Sequence, residues 1–375
     1  MSQHLNRSRA GYGRVLLPGV FLCVLSAEVS TAQLDDAYLF HDSHFHLTNY
    51  VQKGTDIRDY LAIMGDKIGR STLFGIPLQQ TWSHENSGDF APTYYLQSDA
   101  PLYYYSFTDA YIAMAYRSLT PEQQQRLDPM ITGFNPADMY GVDHIRRVLE
   151  TFPGVFTGIG EFTIHKEFVS SKVAGEIASL ADPALDRILD FAAEVGLVVI
   201  LHSDIDMPFA KVNEEPVFLS QMKLLLRRHP KATIIWAHTG LGRVVHPVQV
   251  QAVAGSAERD ANHLEIISGM IEDPTLRHVY FDISWDEVAK YAVSSPEVER
   301  RTAAAFNKYS DRFLFGTDNV APQDQATQLR VFHMWDPVFA RLTPAASRAI
   351  RKGNYERLFD AARQRVRAWE KANVK

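Results

Sequence analysis

The chain has 375 residues, 46% of them hydrophobic and 22% charged, with a formal net charge of −6. That is the composition of a globular protein with room for a large core. The acidic balance argues against nucleic acid as a partner, because its binders carry a basic excess on one face.

The N-terminus reads as a separate element. Arg7, Arg9 and Arg14 precede the apolar run Val15 to Leu25, and Ser30 and Ala32 stand at the −3 and −1 positions before Gln33. This is the layout of a secretory signal peptide over residues 1–32, and the run is too short for a comfortable membrane span. Export, to the periplasm, with no stable membrane insertion after cleavage, is the expectation. The sole cysteine, Cys23, lies inside this segment. A mature chain from 33 to 375 would hold no thiol, so any metal site must be built from His, Asp and Glu.

Beyond the signal, short apolar runs alternate with amphipathic stretches. Leu39-Phe40 leads into His44-Phe45-His46, and the later runs are Ser71–Ile76, Met130–Phe134, Val155–Gly160, Leu197–Leu201, Thr233–Ala237, Val279–Ile283 and Phe313–Gly316. Several are nearly continuous in hydrophobicity, as parallel strands covered on both faces are. Between them, Pro183 to Val195 has Asp182 as N-cap, Pro183 at its first position and Gly196 as its stop. Val217 to Arg228, Thr343 to Ile350 and Tyr355 to Ala372 are further helical patterns. Eight strands alternating with helices predict an α/β fold, a (β/α)8 TIM barrel in one domain. No Gly-rich phosphate fingerprint follows the first strand, which disfavours a doubly wound sheet.

One stretch breaks the rhythm. Residues 81–126, between the second and third strands, hold Tyr94, Tyr95, Tyr103, Tyr104, Tyr105, Phe107, Tyr111 and Tyr116. Two roles fit such an aromatic-rich insertion: a helical elaboration with its own small core, or a cap shaping a pocket over the barrel mouth.

The chemistry sits at the strand ends. In His44-Phe45-His46 the two imidazoles at i and i+2 project to one face of a strand while Phe45 packs the other way. Glu161 follows the glycines Gly158 and Gly160, which permit close backbone approach, and His202, His238 and Asp318 each end an apolar run. Glu161 to His202 is 41 residues and His202 to His238 is 36. Each gap is about one βα unit of a barrel of roughly 250 residues and eight units. His238 to Asp318 is 80, two units, and His46 to Glu161 is 115, three units plus the insertion. The six groups thus fall at the ends of strands one, four, five, six and eight, which is the phase of one shared metal centre.

With its HxH after strand one, Glu after four, His after five and six, and Asp after eight, the chain resembles the amidohydrolase superfamily. The flavour is the amidohydrolase-related branch of metal-dependent TIM-barrel hydrolases. Leu314-Phe315-Gly316-Thr317-Asp318 and the closing Gly353-Asn354-Tyr355-Glu356-Arg357-Leu358-Phe359 are similar to that branch as well, and the resemblance spans roughly residues 38 to 372. Where some members carry a carbamylated lysine after strand four, this chain has Glu161. The resemblance implies a divalent metal, zinc, as one or two ions. His44, His46 and Asp318 would hold one, His202 and His238 a second, with Glu161 bridging. Asp318 would act as general base, and with a single metal His238 would polarise the substrate carbonyl. The implied reaction is hydrolysis of an amide, ester or lactone of a small molecule. The same branch also implies an alternative, metal-dependent decarboxylation of an aromatic or muconate-type acid.

Other candidates stand around this set. Asp42 precedes the HxH and would support the ligands from behind. His165, Arg243, Trp82 and His84 are candidate substrate contacts, Arg243 as a bidentate carboxylate clamp. His144, His229, His246, His263, His278 and His333 read as structural or exposed. Substrate identity and oligomeric state are left open, a homo-oligomer included.

Overall fold

The apolar runs become the parallel strands of a single sheet. A computed structural model describes residues 38–48, 53–76, 89, 105–166, 179–207, 215–242 and 263–374, so the expected signal peptide lies outside the described residues. The strands in chain order are β1 Phe40–Asp42, β2 Phe45–His46, β3 Ile68–Leu73, β4 Leu127–Ile131, β5 Gly158–His165, β6 Val198–Ser203, β7 Thr233–Trp236, β8 Val279–Asp282, β9 Phe313–Leu314 and β10 Asn319–Val320. Eight of them run in the order β1-β3-β4-β5-β6-β7-β8-β9. The short strands β2 and β10 pair with each other, Asn319 opposite Phe45 and Val320 opposite His46. The Ser43 N–H also donates to the Phe315 carbonyl at 3.1 Å, which brings the last strand back beside the first. The architecture is the expected (β/α)8 barrel.

Alternation along the strands sorts the core into two layers. Val198, Ile200, Ile235, Ala237 and Leu314 face the barrel interior with Met130 and Phe74, where Tyr355, Leu358, Phe359 and Ala362 of the last helix join them. Their neighbours Val199, Leu201, Ile234, Trp236 and Phe281 face outward under the helices. On that parity His202, two residues beyond Ile200, points inward.

Several boundaries differ from the sequence expectation. The first strand breaks after Asp42, so His44 lies in a link and only Phe45-His46 is extended, paired to β10 and bridged to Phe74 just past β3. The second and third strands begin earlier, at Ile68 and Leu127. The fourth runs on to His165, because Thr163 and His165 keep pairing with His202 and Ser203. Glu161 and His202 are therefore inside strands rather than just after them. Asp182 caps its helix as expected, its carboxylate accepting the Ala184 N–H at 2.8 Å, and Gly196 ends it in the left-handed conformation at φ 85°. At the C-terminus the expected break between Ile350 and Tyr355 is bridged: a π turn at Ala349–Gly353 joins Pro344–Arg348 to Asn354–Asn373.

Of the aromatic insertion, the helices Thr108–Arg117 and Pro121–Gln125 are described. Tyr116 belongs to the main core and Tyr111 packs against it, so this part adds to the barrel's core instead of forming its own. Buried Asp109 pins it: one carboxylate oxygen accepts the Thr132 N–H at 2.7 Å and the Gly133 N–H at 3.0 Å, and the other faces His144 Nε2 at 2.9 Å. Tyr94, Tyr95, Tyr103 and Tyr104 lie outside the described residues.

At the opposite end of the barrel from the strand C-termini, Asp128 ties the last helix to the sheet. It is fully buried and meets Arg70 Nη2 at 2.8 Å, Arg363 Nη2 at 2.7 Å and the Tyr355 hydroxyl at 2.8 Å. Burial works against its charge, yet the two guanidinium groups hold its pKa below the ordinary carboxylate value. A depressed folded pKa gives stability that is present above the unfolded value, about 3.9, and lost as pH falls through the folded one. Asp128→Ala leaves Arg363 and Tyr355 without their carboxylate and Arg70 with Asp360 alone, and is expected to cost on the order of 3–5 kcal/mol. Thermal unfolding across pH 2 to 7 should show the lower Tm and a shallower acid dependence in the variant; a change of under about 1 kcal/mol would contradict this account.

Candidate metal centre

The six residues converge at the C-terminal ends of the strands. Between Ile159 and Phe162 the pairing of β5 with β6 shifts register, a bulge that turns Glu161 inward although Ile159 and Phe162 both face out. Gly160 makes the bulge feasible: its φ is +119°, and a Cβ there would lie 2.3 Å from the Ile200 carbonyl oxygen. His238 and Asp318 follow their strands in the left-handed region, at φ 55° and 56°. Non-glycine residues tolerate that conformation where surrounding structure enforces it, as functional sites often do. The Asp318 N–H donates to the His44 carbonyl at 2.8 Å, locking the last strand's exit to the HxH link.

Two clusters share one carboxylate. Glu161 Oε2 lies 3.4 Å from His44 Nε2 and 3.5 Å from His46 Nε2, and Asp318 Oδ1 lies 3.3 and 3.0 Å from the same two nitrogens. Glu161 Oε1 lies 2.5 Å from His202 Nδ1 and 3.3 Å from His238 Nε2. Thus His44, His46, Glu161 and Asp318 form one set that could hold a cation, and Glu161, His202 and His238 another. Side-chain exposure is 0–3% for all but Asp318, at 11%.

The far side of each imidazole fixes its tautomer. His46 Nδ1 is 2.7 Å from the Gly75 carbonyl, which can only accept, so Nδ1 carries the proton. His44 Nδ1 donates to Asp282 Oδ2 at 2.9 Å, and His202 Nε2 to Asp204 Oδ1 at 3.1 Å. With a metal in the cleft the nitrogens that face it would present lone pairs, in place of the hydrogen bonds that His46 Nε2 and His202 Nδ1 make here to Asp318 and Glu161. His44 Nε2, Glu161 Oε2 and His238 Nε2 are buried without a hydrogen-bond partner. Buried polar atoms are rarely left so, and here they aim at one another's centre.

The electrostatics match. Burial opposes charge on Glu161, but His202 and His44 beside it hold its pKa well below the ordinary value; burial opposes charge on Asp318 too, and His238, His44 and His46 overcome it. Burial lowers His44, and the Asp282 and Glu161 carboxylates more than reverse that, raising it well above its usual value. His238 is lowered, chiefly by burial. The cleft therefore demands positive charge near Glu161 and Asp318, which imidazole protons or a divalent cation supply. Two carboxylates and four imidazoles are the hard and borderline donors that zinc accepts. The residues fit the ion.

The remaining expected residues divide. Asp42 supports the site as expected, accepting the His44 N–H at 3.1 Å and the Thr317 N–H at 2.9 Å; burial raises its carboxyl to about 7. His165 sits at the rim with its ring stacked 3.7 Å from that of Phe218. Trp82, His84, Arg243 and His246 lie outside the described residues. His144 meets Asp109, His229 meets Asp186 and Asp190, His263 meets Thr239, His278 meets the Leu226 carbonyl, and His333 is exposed beside Asp336: structural or surface positions all.

Asp282, Ser284 and Trp285 were not singled out by the sequence. Asp282 is the first charged group of the run Val279–Ile283, the same feature that marked His202 and His238, so the criterion was available. The Trp285 ring lies 5.1 Å from that of His238. It also lines a cavity of about 240 Å³ with Asp318, Asn319 and Arg330.

A parallel eight-stranded barrel whose strand ends gather four histidines and two carboxylates defines a class, the TIM-barrel proteins with a His/carboxylate centre. Within it this chain belongs to the amidohydrolase family, whose model, described as Amidohydrolase, matches residues 42–361. No curated protein matches the chain significantly. Among solved structures, an uncharacterized TIM-barrel protein from Bordetella bronchiseptica is 14% identical, with a TM-score of 0.50, over 86% of this chain and 99% of that one. An amidohydrolase from Burkholderia multivorans with bound zinc is 13% identical, TM-score 0.49, over 86% and 99%. A 5-carboxyvanillate decarboxylase from Sphingomonas paucimobilis is 13% identical, TM-score 0.44, over 80% and 82%. The first of these likenesses speaks for the fold.

Proposed function

We propose that this protein is a metal-dependent hydrolase that cleaves an amide, ester or lactone bond of a small molecule, with zinc as its metal. The observation that carries the reading is Glu161, whose two oxygens face two separate histidine pairs, Oε2 towards His44 and His46 and Oε1 towards His202 and His238. On this reading His44, His46 and Asp318 hold one ion, His202 and His238 another, and Glu161 spans both. A divalent cation so held polarises a carbonyl and lowers the pKa of water towards about 7. Asp318, the most exposed of the six and open to the 240 Å³ cavity, is placed to take a proton from attacking water and return it to the leaving group. Were only one metal held, His238, on the opposite side of Glu161, would instead polarise the substrate carbonyl. His165 at the rim and Arg243, Trp82 and His84 are proposed as substrate contacts.

Elemental analysis of protein saturated with zinc tests this: about two ions per chain, with activity lost on chelation and restored by zinc, is the expected result. Full activity in metal-free protein would sink the hydrolase reading. A single metal with carbon dioxide released from an aromatic or muconate-type acid would move the assignment to a decarboxylase.

Export belongs to the same proposal, supported by the basic residues, the apolar run and Ser30-Thr31-Ala32. Protein from a secreting host should begin near Gln33 by N-terminal mass spectrometry. An intact Met1 on cytosolic protein would refute it. Among the described residues no helix is long and apolar enough to cross a membrane.

A further inference from the structure

Asp282 touches both halves of the cleft without entering it. It is fully buried at the end of β8, and its two oxygens divide their work. Oδ2 accepts the Nδ1 proton of His44, at 2.9 Å, on the side of the site shared with His46 and Asp318. Oδ1 accepts the His238 backbone N–H at 2.8 Å, the Ser284 N–H at 3.2 Å and the Ser284 hydroxyl. The Ser284 oxygen in turn lies 2.9 Å from His238 Nδ1.

A hydroxyl has one proton. Once Ser284 has given it to the carboxylate, its oxygen can only accept from His238, so the proton of that ring must sit on Nδ1. The Nε2 of His238, 3.3 Å from Glu161, is left with its lone pair towards the cleft. Asp282 thus dictates the tautomer of His44 directly and that of His238 through Ser284. We propose that Asp282 is a positioning residue shared by the two histidine sets, wired so that one carboxylate aims a lone pair from each at Glu161. The use of those lone pairs to hold metal rests on the proposed function; the wiring itself does not. His44, His238 and Asp282 could also be read as a ligand trio of their own. Every Asp282 oxygen already accepts a proton from those neighbours, however, whereas ligation would need bare nitrogens at about 2.0–2.1 Å.

Asparagine at this position breaks the wiring in a defined way. Its side chain has one accepting and one donating end, so whichever way it turns, one arm sets N–H against a donor. If the NH2 meets His44, that ring must surrender its Nδ1 proton or turn away. If it meets Ser284, the hydroxyl is freed to donate to His238 Nδ1, which moves the imidazole proton to Nε2, facing Glu161.

The test is ¹H–¹⁵N correlation of the imidazole nitrogens in the full chain labelled at histidine, recorded before zinc is added, alongside zinc affinity by chelator competition. The wild type should show protons on Nδ1 of His44 and His238. Asp282→Asn should lose one of these and bind zinc roughly 10–100-fold more weakly, the usual scale for removing a partner behind a metal ligand. Ser284→Ala should keep the His44 proton and lose only the fixed tautomer of His238, which a merely structural serine would not do. Asp282→Asn retaining both Nδ1 protons and an affinity within threefold of wild type would overturn the proposal. Should Asp282→Asn not fold, an unchanged His238 Nδ1 proton in Ser284→Ala would overturn it alone. If the wild type takes up no zinc, the metal reading fails, while the Nδ1 protons of the metal-free protein still decide the wiring.

Discussion

Replacing His44 and His46 together with alanine is expected to abolish bound zinc at one set, to lower kcat by about 10³-fold or more, and to leave a cooperatively folding barrel. The rate estimate follows from the several kcal/mol that a metal contributes to a hydrolytic transition state, at tenfold per 1.36 kcal/mol. These two residues supply half of the set formed with Glu161 and Asp318, and the remaining two carboxylates would face each other with no imidazole between them. The folding estimate follows from where the core lies. Val198, Ile200, Ile235 and Leu314 fill the barrel below the site, and none depends on either imidazole. What the double variant loses is three hydrogen bonds, to Asp282, to the Gly75 carbonyl and to Asp318, leaving buried acceptors at about 1–3 kcal/mol each. Against a typical total of about 5–15 kcal/mol that lowers Tm without unfolding the chain. Thermal unfolding by circular dichroism, metal analysis and initial rates together check this. Wild-type rates in the double variant would remove the metal from the reaction.

How much of this was legible in the sequence depended on which force fixed each feature. The strands at Val198–Ser203, Thr233–Trp236 and Val279–Asp282 are buried on both faces, so their apolar runs announced them within a residue or two. The helix Pro183–Val195 carried its cap, its proline and its stop in the sequence and begins and ends where they stand. The break after Asp42 was not legible, because it is imposed from 275 residues away: Thr317 N–H and hydroxyl both bind the Asp42 carboxylate and turn the chain there. Nor was the continuation of β5 past Glu161 legible, since a polar residue in a bulge looks like a strand end when the partner strand is unseen.

The site was legible for a related reason. A group that must point into the barrel at the strand C-terminus is the first polar residue after an apolar run, and His202, His238 and Asp318 are all of that kind. Asp282 meets the same rule, although it stands inside its apolar run, before Ile283, rather than after it. What set it apart is contact with His44, 238 residues earlier in the chain, and with Ser284 and His238 together. Spacing gave the phase of the six groups; it could not give their division into two sets, which depends on which oxygen of Glu161 each ring faces.

That division makes Glu161→Gln the most discriminating substitution. Glutamine keeps the size of the side chain but replaces one oxygen with NH2, which cannot ligate, and removes the negative charge. On the proposed reading one oxygen serves each histidine pair, and the shared charge would offset the repulsion of two cations held close together. The set with more to spare is His44, His46 and Asp318, which keeps three groups when Glu161 is lost; His202 and His238 keep only two. Zinc-saturated Glu161→Gln is therefore expected to hold about one ion per chain where the wild type holds about two. Its kcat should fall by the order of 10² or more, since the hydrolytic centre is no longer assembled on both sides of the carboxylate. The metal-free variant should still fold, because the barrel core below the site does not depend on Glu161, but with a lower Tm, since His44 and His202 lose the buried carboxylate they face. A cooperative unfolding transition in both metal-free proteins separates loss of metal from loss of structure. A wild type with one ion, and a Glu161→Gln variant of undiminished rate, would show that no bridge is used. The reaction would then rest on one metal set, and release of carbon dioxide rather than hydrolysis product would decide between a decarboxylase and a mononuclear hydrolase.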